Sequence, residues 1–137
     1  MSTHDQKLLE KALEVRKFAY SPYSSYSVGC ALLDEHGGIH TACNVENAAF
    51  PLGSCAEASA IGAMVASGAK SINTILIVGG FSQLERCPPC GGCRQRIQEF
   101  AHSETRIILQ NDSRELEIYA LKDLLPNSFI LGMKPSG

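Results

Sequence analysis

The chain has 137 residues, 45% of them hydrophobic and 19% charged, with a formal net charge of −2. That length suits one domain over residues 1–137 with one core, and the composition argues against extended disorder. The sequence holds no lysine or arginine run to match a phosphate backbone and no apolar stretch near the roughly 20 residues that span a bilayer, so neither nucleic acid nor membrane is expected as a partner.

The first twenty residues mix charges and lack the apolar core of a secretory signal, so a cytoplasmic address is expected. In that reducing compartment the six cysteines read as metal ligands or core thiols rather than disulfides. Leu8, Leu9, Ala12, Leu13, Val15, Phe18 and Ala19 recur at spacings of three and four, which predicts an amphipathic helix over residues 6–19. "SPYSSYS" breaks it. Tyr26 to Leu33 reads as a buried strand, "DEHGG" as a turn and Ile39 to Cys43 as the hairpin partner. "ASAIGAMVASGA" is small and apolar nearly all round, which predicts a largely buried helix from Cys55 to about Ser67, ending at Gly68. Ile72 to Gly80 is a β-branched central strand, Gly92 to His102 a helix, Thr105 to Gln110 and Glu115 to Tyr119 strands, and "LKDLLP" a closing helical turn. The alternation predicts a three-layer α/β/α domain with a mixed sheet of about five strands.

"CPPCGGC", from Cys87 to Cys93, places three cysteines at equal spacing across gaps of unequal stiffness. Two prolines favour an extended path that holds the α-carbons of Cys87 and Cys90 about 9 Å apart. Gly91 and Gly92 impose no such restriction, so Cys90 and Cys93 pair on one metal and Cys87 stands aside, a closed four-cysteine site being the alternative. "SCAE" supplies a further ligand, Cys55. Residues two apart do not share a helical face, so Cys55 and Glu57 converge only where the helix meets the site end-on. Unpaired N–H groups at that end, and at the start of the helix near Gly92, would stabilise thiolates. Three protein ligands leave a zinc ion one open position, the mark of a catalytic site.

"NVENAAFPLGSCAEASAI" (Asn44 to Ile61) followed by "PCGGCRQ" (Pro89 to Gln95) resembles the small homo-oligomeric cytidine deaminases, as do "YSPYSSYSVGCALL" and "LLPNSF". The resemblance implies one zinc per chain on Cys55, Cys90 and Cys93, with solvent at the fourth position. It implies that Glu57 moves a proton from water to N3 of the cytosine ring and then to the departing amino group. Cytidine and deoxycytidine would become uridine and deoxyuridine with release of ammonia, a step of pyrimidine salvage. Asn44 and Glu46 would bind the ribose and the backbone at Ala56 the base. Tyr26 stands where many relatives carry phenylalanine, and Phe50 and Phe129 match aromatic positions that line these sites, partly from a neighbouring subunit. A homotetramer is implied; independently, a nucleoside pocket in so small a domain would be shallow unless a partner closed it.

One departure concerns charge. Relatives with three cysteines often carry an arginine directly after the glutamate, where this chain has Ala58. Three thiolates outweigh a zinc ion by one negative charge, so Arg94 or Arg96, with the two helix ends, is expected to supply the compensation.

Ordinary readings stand beside these. Cys30 and Cys43 are expected as small core side chains, and His4, His36, His40 and His102 as solvated surface residues. Asn44, Glu46 and Asn47 suit a loop as well as a ligand, and Glu57 suits a helix first turn. Competing functions are deamination of a related nucleoside such as blasticidin S, a structural zinc module, and a thiol redox protein using Cys90 and Cys93.

Overall fold

The computed structural model describes residues 3–132. In chain order the elements are helix α1 (Thr3–Arg16), strands β1 (Ser27–Asp34) and β2 (Ile39–Cys43), a 3₁₀ turn (Phe50–Leu52), helix α2 (Ala56–Ala66), strands β3 (Ile72–Gly80) and β4 (Leu84–Glu85), helix α3 (Gly91–Phe100), strands β5 (Arg106–Gln110) and β6 (Leu116–Ala120), and helix α4 (Leu121–Leu124). The sheet runs β2-β1-β3-β5-β6, with β4 paired to the last two residues of β3. Among the described strands only β3 and β5 pair in parallel, and α3 lies in the crossover between them. The sheet is therefore mixed, as expected, and its six strands agree with the expected number of about five; the extra one, the two-residue β4, is too short to leave a periodic trace.

β3 has β1 along its whole length on one side and β5 on the other, so its edges are paired, and its side chains are largely apolar on both faces because helices cover both. Leu8, Leu9 and Ala12 of α1 cover one face of the sheet with Ala31, Leu33, Leu76, Val78 and Ile108. Ala56, Ala60, Ile61 and Met64 of α2, with Ile97 of α3, cover the other with Leu32, Ile75, Ile77, Ile107 and Leu109. These clusters are the two interlayer cores of the expected α/β/α sandwich. A bidentate pair, Arg106 Nη1 and Nη2 to the Asp5 carboxylate at 2.9 and 2.7 Å, ties the start of α1 to β5 across 101 positions.

Three local expectations fail. The first helix ends at Arg16, short of Phe18 and Ala19, where the backbone tightens into turns with Lys17, Phe18 and Ala19 N–H donating to Glu14, Val15 and Arg16 carbonyls; the Arg16 side chain donates to the carbonyls of Ser27, Gly80 and Phe81. α2 is not buried all round: Ala56, Glu57, Ala60, Ile61 and Met64 face the sheet, while Gly62, Ala63, Val65 and Ala66 are exposed. His40 is also misjudged as a solvated residue. Its Nε2 lies 2.7 Å from Oδ2 of the buried Asp34, within the β1–β2 hairpin.

Candidate metal centre and active site

Between β2 and α2 the chain makes a loop closed by its own backbone. Val45 and Ser54 exchange hydrogen bonds of 3.0 and 2.8 Å, and Glu46 N–H donates to the Tyr20 carbonyl at 2.8 Å. The next residue, Cys55, is the N-cap of α2, and Cys90 is the N-cap of α3. The Cys90 sulfur accepts a hydrogen bond from the Cys93 N–H at 3.5 Å, so a sulfur takes the place of a capping oxygen and Cys93 falls at the third helical position. Two helix N-termini thus carry all three thiols, as end-on docking requires. The sulfurs of Cys55, Cys90 and Cys93 all lie within 4.8 Å of one another.

That spacing fits one tetrahedral zinc ion, whose bonds of about 2.3 Å place sulfurs roughly 3.8 Å apart. The donor set itself calls for a cation. Burial pushes the thiols of Cys55 and Cys93 up, and each is pushed further by the acids around it. Burial acts in the same direction on Cys90, but N–H donors of its helix bring its thiol below the usual range. Glu57, two residues into α2, is 5% exposed, and burial holds its carboxyl above the usual carboxylate range against the pull of its own backbone N–H, the Cys93 thiol and, least, Arg96. A soft divalent cation bound by the three sulfurs would favour the thiolate forms that burial opposes at Cys55 and Cys93. The residues present therefore fit zinc, one per chain.

A cleft of about 470 Å³ opens over this cluster, lined among others by Tyr26, Val28, Asn44, Glu46, Phe50, Ala56, Glu57 and Cys87. Asn44 and Glu46 are at its wall, yet both are engaged within the chain. Asn44 bridges Val28 N–H and the Tyr26 carbonyl, and the Glu46 carboxylate accepts from the backbone N–H groups of Tyr23 and Ser24 and from the Ser24 hydroxyl. Phe50 is exposed at the rim, edge to face with Tyr23. The exposed Phe129 is outside the lining of this cleft. Cys87 stands apart from the sulfur cluster, close to Gly79 and the Tyr26 ring. The two arginines separate. Arg94 donates to the carbonyls of Pro89 and Leu124, each at 2.8 Å, whereas Arg96 Nη1 reaches the Cys93 sulfur at 3.6 Å.

Sequence reasoning passed over Val28, Ser54, Cys87 and Pro88 as cleft walls. Val28 was within reach, because it shares a strand face with Tyr26 two positions away. The other three are brought to the site by loops whose paths no periodicity records.

A mixed sheet between helical layers, with three thiols at two helix tips beside a buried glutamate, defines a zinc-dependent deaminase architecture. The profile described as "Cytidine and deoxycytidylate deaminase zinc-binding region" matches residues 2–109, and the chain belongs to this family. It is 36% identical over 124 residues to a cytidine deaminase of Sporosarcina psychrophila, spanning 90% of each chain. The crystal structure of cytidine deaminase from Burkholderia pseudomallei superposes with a TM-score of 0.83 at 35% identity, covering 94% of this chain and all of that one. A blasticidin-S deaminase of Bacillus cereus is 33% identical over 107 residues, covering 74% of this chain and 76% of that one.

Proposed function

We propose that this chain, as one domain over residues 1–137, catalyses the zinc-dependent hydrolysis of cytidine and deoxycytidine to uridine and deoxyuridine, releasing ammonia. The observation that carries the reading is the convergence of Cys55, Cys90 and Cys93 beside the buried carboxyl of Glu57 at the floor of the cleft. Zinc held by the three sulfurs would supply the Lewis acidity that makes water a nucleophile near neutral pH. Glu57 accepts a proton from the attacking water and gives it to N3 of the cytosine ring, which makes C4 more electrophilic. The same carboxyl then carries the second proton to the amino group, so that ammonia departs and the uracil ring remains. Burial suits Glu57 to this double use, because it keeps the proton near transfer in either direction. The Ala56 backbone meets the base, Asn44 and Glu46 meet the ribose from the wall, and Tyr26 and Phe50 bound the cleft.

The reading extends to a cytoplasmic homotetramer serving pyrimidine salvage. Supporting the assembly are Phe18, Leu52, Phe129 and Ile130, all exposed apolar side chains, and the open small-residue face of α2. Ultraviolet spectra of cytidine, deoxycytidine and blasticidin S, incubated with zinc-loaded protein and read with ammonia release, test the function. Loss of cytidine absorbance with one ammonia per turnover is expected. Zinc uptake with no ammonia from any of the three would make the site a structural module.

A further inference from the structure

We propose that the Arg96 guanidinium is the cation that offsets the surplus thiolate charge of the zinc site, acting from one turn below the ligands on α3. The inference rests on the metal site of the proposed function. Three thiolates exceed a divalent cation by one negative charge, and a buried surplus weakens metal retention unless a fixed positive group lies beside it. α2 offers none, since Ala58 ends at its Cβ. α3 does. Cys90, Cys93 and Arg96 follow one another at intervals of three, and residues so spaced share a helix face. Arg96 Nη1 accordingly lies 3.6 Å from the Cys93 sulfur.

The neighbouring arginines are committed elsewhere: Arg94 to the carbonyls of Pro89 and Leu124, and Arg16 to those of Ser27, Gly80 and Phe81. The helix also makes room. A Cβ at Gly92 would stand 3.3 Å from Arg96 Nη1, so glycine, a poor helix former, leaves the guanidinium its path to the sulfurs. Arg96 is otherwise exposed, so its role is electrostatic and not one of packing. It is a positioning residue for the ligands' charge and touches no reacting atom.

The test is competition for zinc between the loaded protein and a chromophoric chelator at low and high salt, for the wild type, Arg96→Gln and Arg96→Lys. Glutamine suits an exposed helix position, so folding is expected to persist. At low salt Arg96→Gln should hold zinc about 10-fold less tightly than wild type, the lower end of what a lost neighbour of a metal ligand costs. The gap should close toward 1 M salt, where screening acts within about 3 Å, and Arg96→Lys should keep most of the wild-type retention. Equal retention by wild type and Arg96→Gln at low salt would overturn the inference and leave the function standing. So would an equal, salt-independent deficit in both variants, the sign of a structural role. A wild-type protein that takes up no zinc would overturn both.

Discussion

The Asn44 side chain donates from Nδ2 to the Tyr26 carbonyl at 2.9 Å, while its Oδ1 accepts from the Val28 N–H at 2.9 Å. One amide thereby joins the loop that leads to Cys55 to the strand that forms the opposite wall of the cleft. Asn44→Ala would leave a part-buried carbonyl and N–H without their partner, at a cost of about 1–3 kcal/mol. Chemical denaturation should show that loss, and steady-state kinetics should show KM rising more than kcat falls. Unchanged stability would mean that water replaces the amide without penalty.

Glu57 is outside the cluster that the three sulfurs form, and the proposed reaction uses it to move protons and not to bind metal. Glu57→Gln keeps the shape and removes the proton carrier. Its kcat should fall by about 10²–10⁴-fold, the usual weight of general acid–base catalysis, with zinc content per chain unchanged. Metal analysis showing zinc lost from this variant would turn Glu57 into a ligand.

Gly29 sits where α1 crosses β1. A Cβ there would fall 2.2 Å from the Ala12 carbonyl oxygen and 2.8 Å from the Arg16 Cβ. Gly29→Ala must push α1 off the sheet, an overpacking that costs about 1–3 kcal/mol. Thermal unfolding should record the loss. The folded fraction should still bind zinc, since α1 covers the sheet face opposite α2 and α3.

Asp34 makes the hairpin sensitive to acid. Burial alone would raise its carboxyl, but His40 Nε2 at 2.7 Å and the N–H groups of Gly38 at 2.9 Å and His36 at 2.7 Å outweigh it and hold the group below the usual range. A carboxyl depressed on folding contributes its full stability above the unfolded pKa of about 3.9 and loses it as pH falls through the folded value. Asp34→Asn should therefore cost about 2 kcal/mol near neutral pH and progressively less below pH ~4. Stability curves of the two proteins that run parallel through the acid range would contradict this account.

Local chemistry carried much of this protein. Period and breakers placed β2 and β3 at their observed bounds and the other expected helices and strands within a few residues, because each is made by contacts its own side chains announce, whereas the two-residue β4 and the Phe50–Leu52 turn were not expected. The stiff Pro-Pro gap and the free Gly-Gly gap separated Cys87 from Cys90 and Cys93, and the i, i+2 spacing of Cys55 and Glu57 demanded a helix seen end-on. Exposure was decided elsewhere. α2 reads as buried because small residues look alike whether they meet a sheet or face outward, and His40 reads as solvated because its partner Asp34 is reached only across a hairpin. The choice between Arg94 and Arg96 was likewise beyond composition. Both lie one or three residues from Cys93, and the Pro89 and Leu124 carbonyls, one of them thirty positions away, claim the first and leave the second to the sulfur. A sequence fixes which groups can bond; only the folded chain fixes which partners come within reach, because distant segments compete for the same donor.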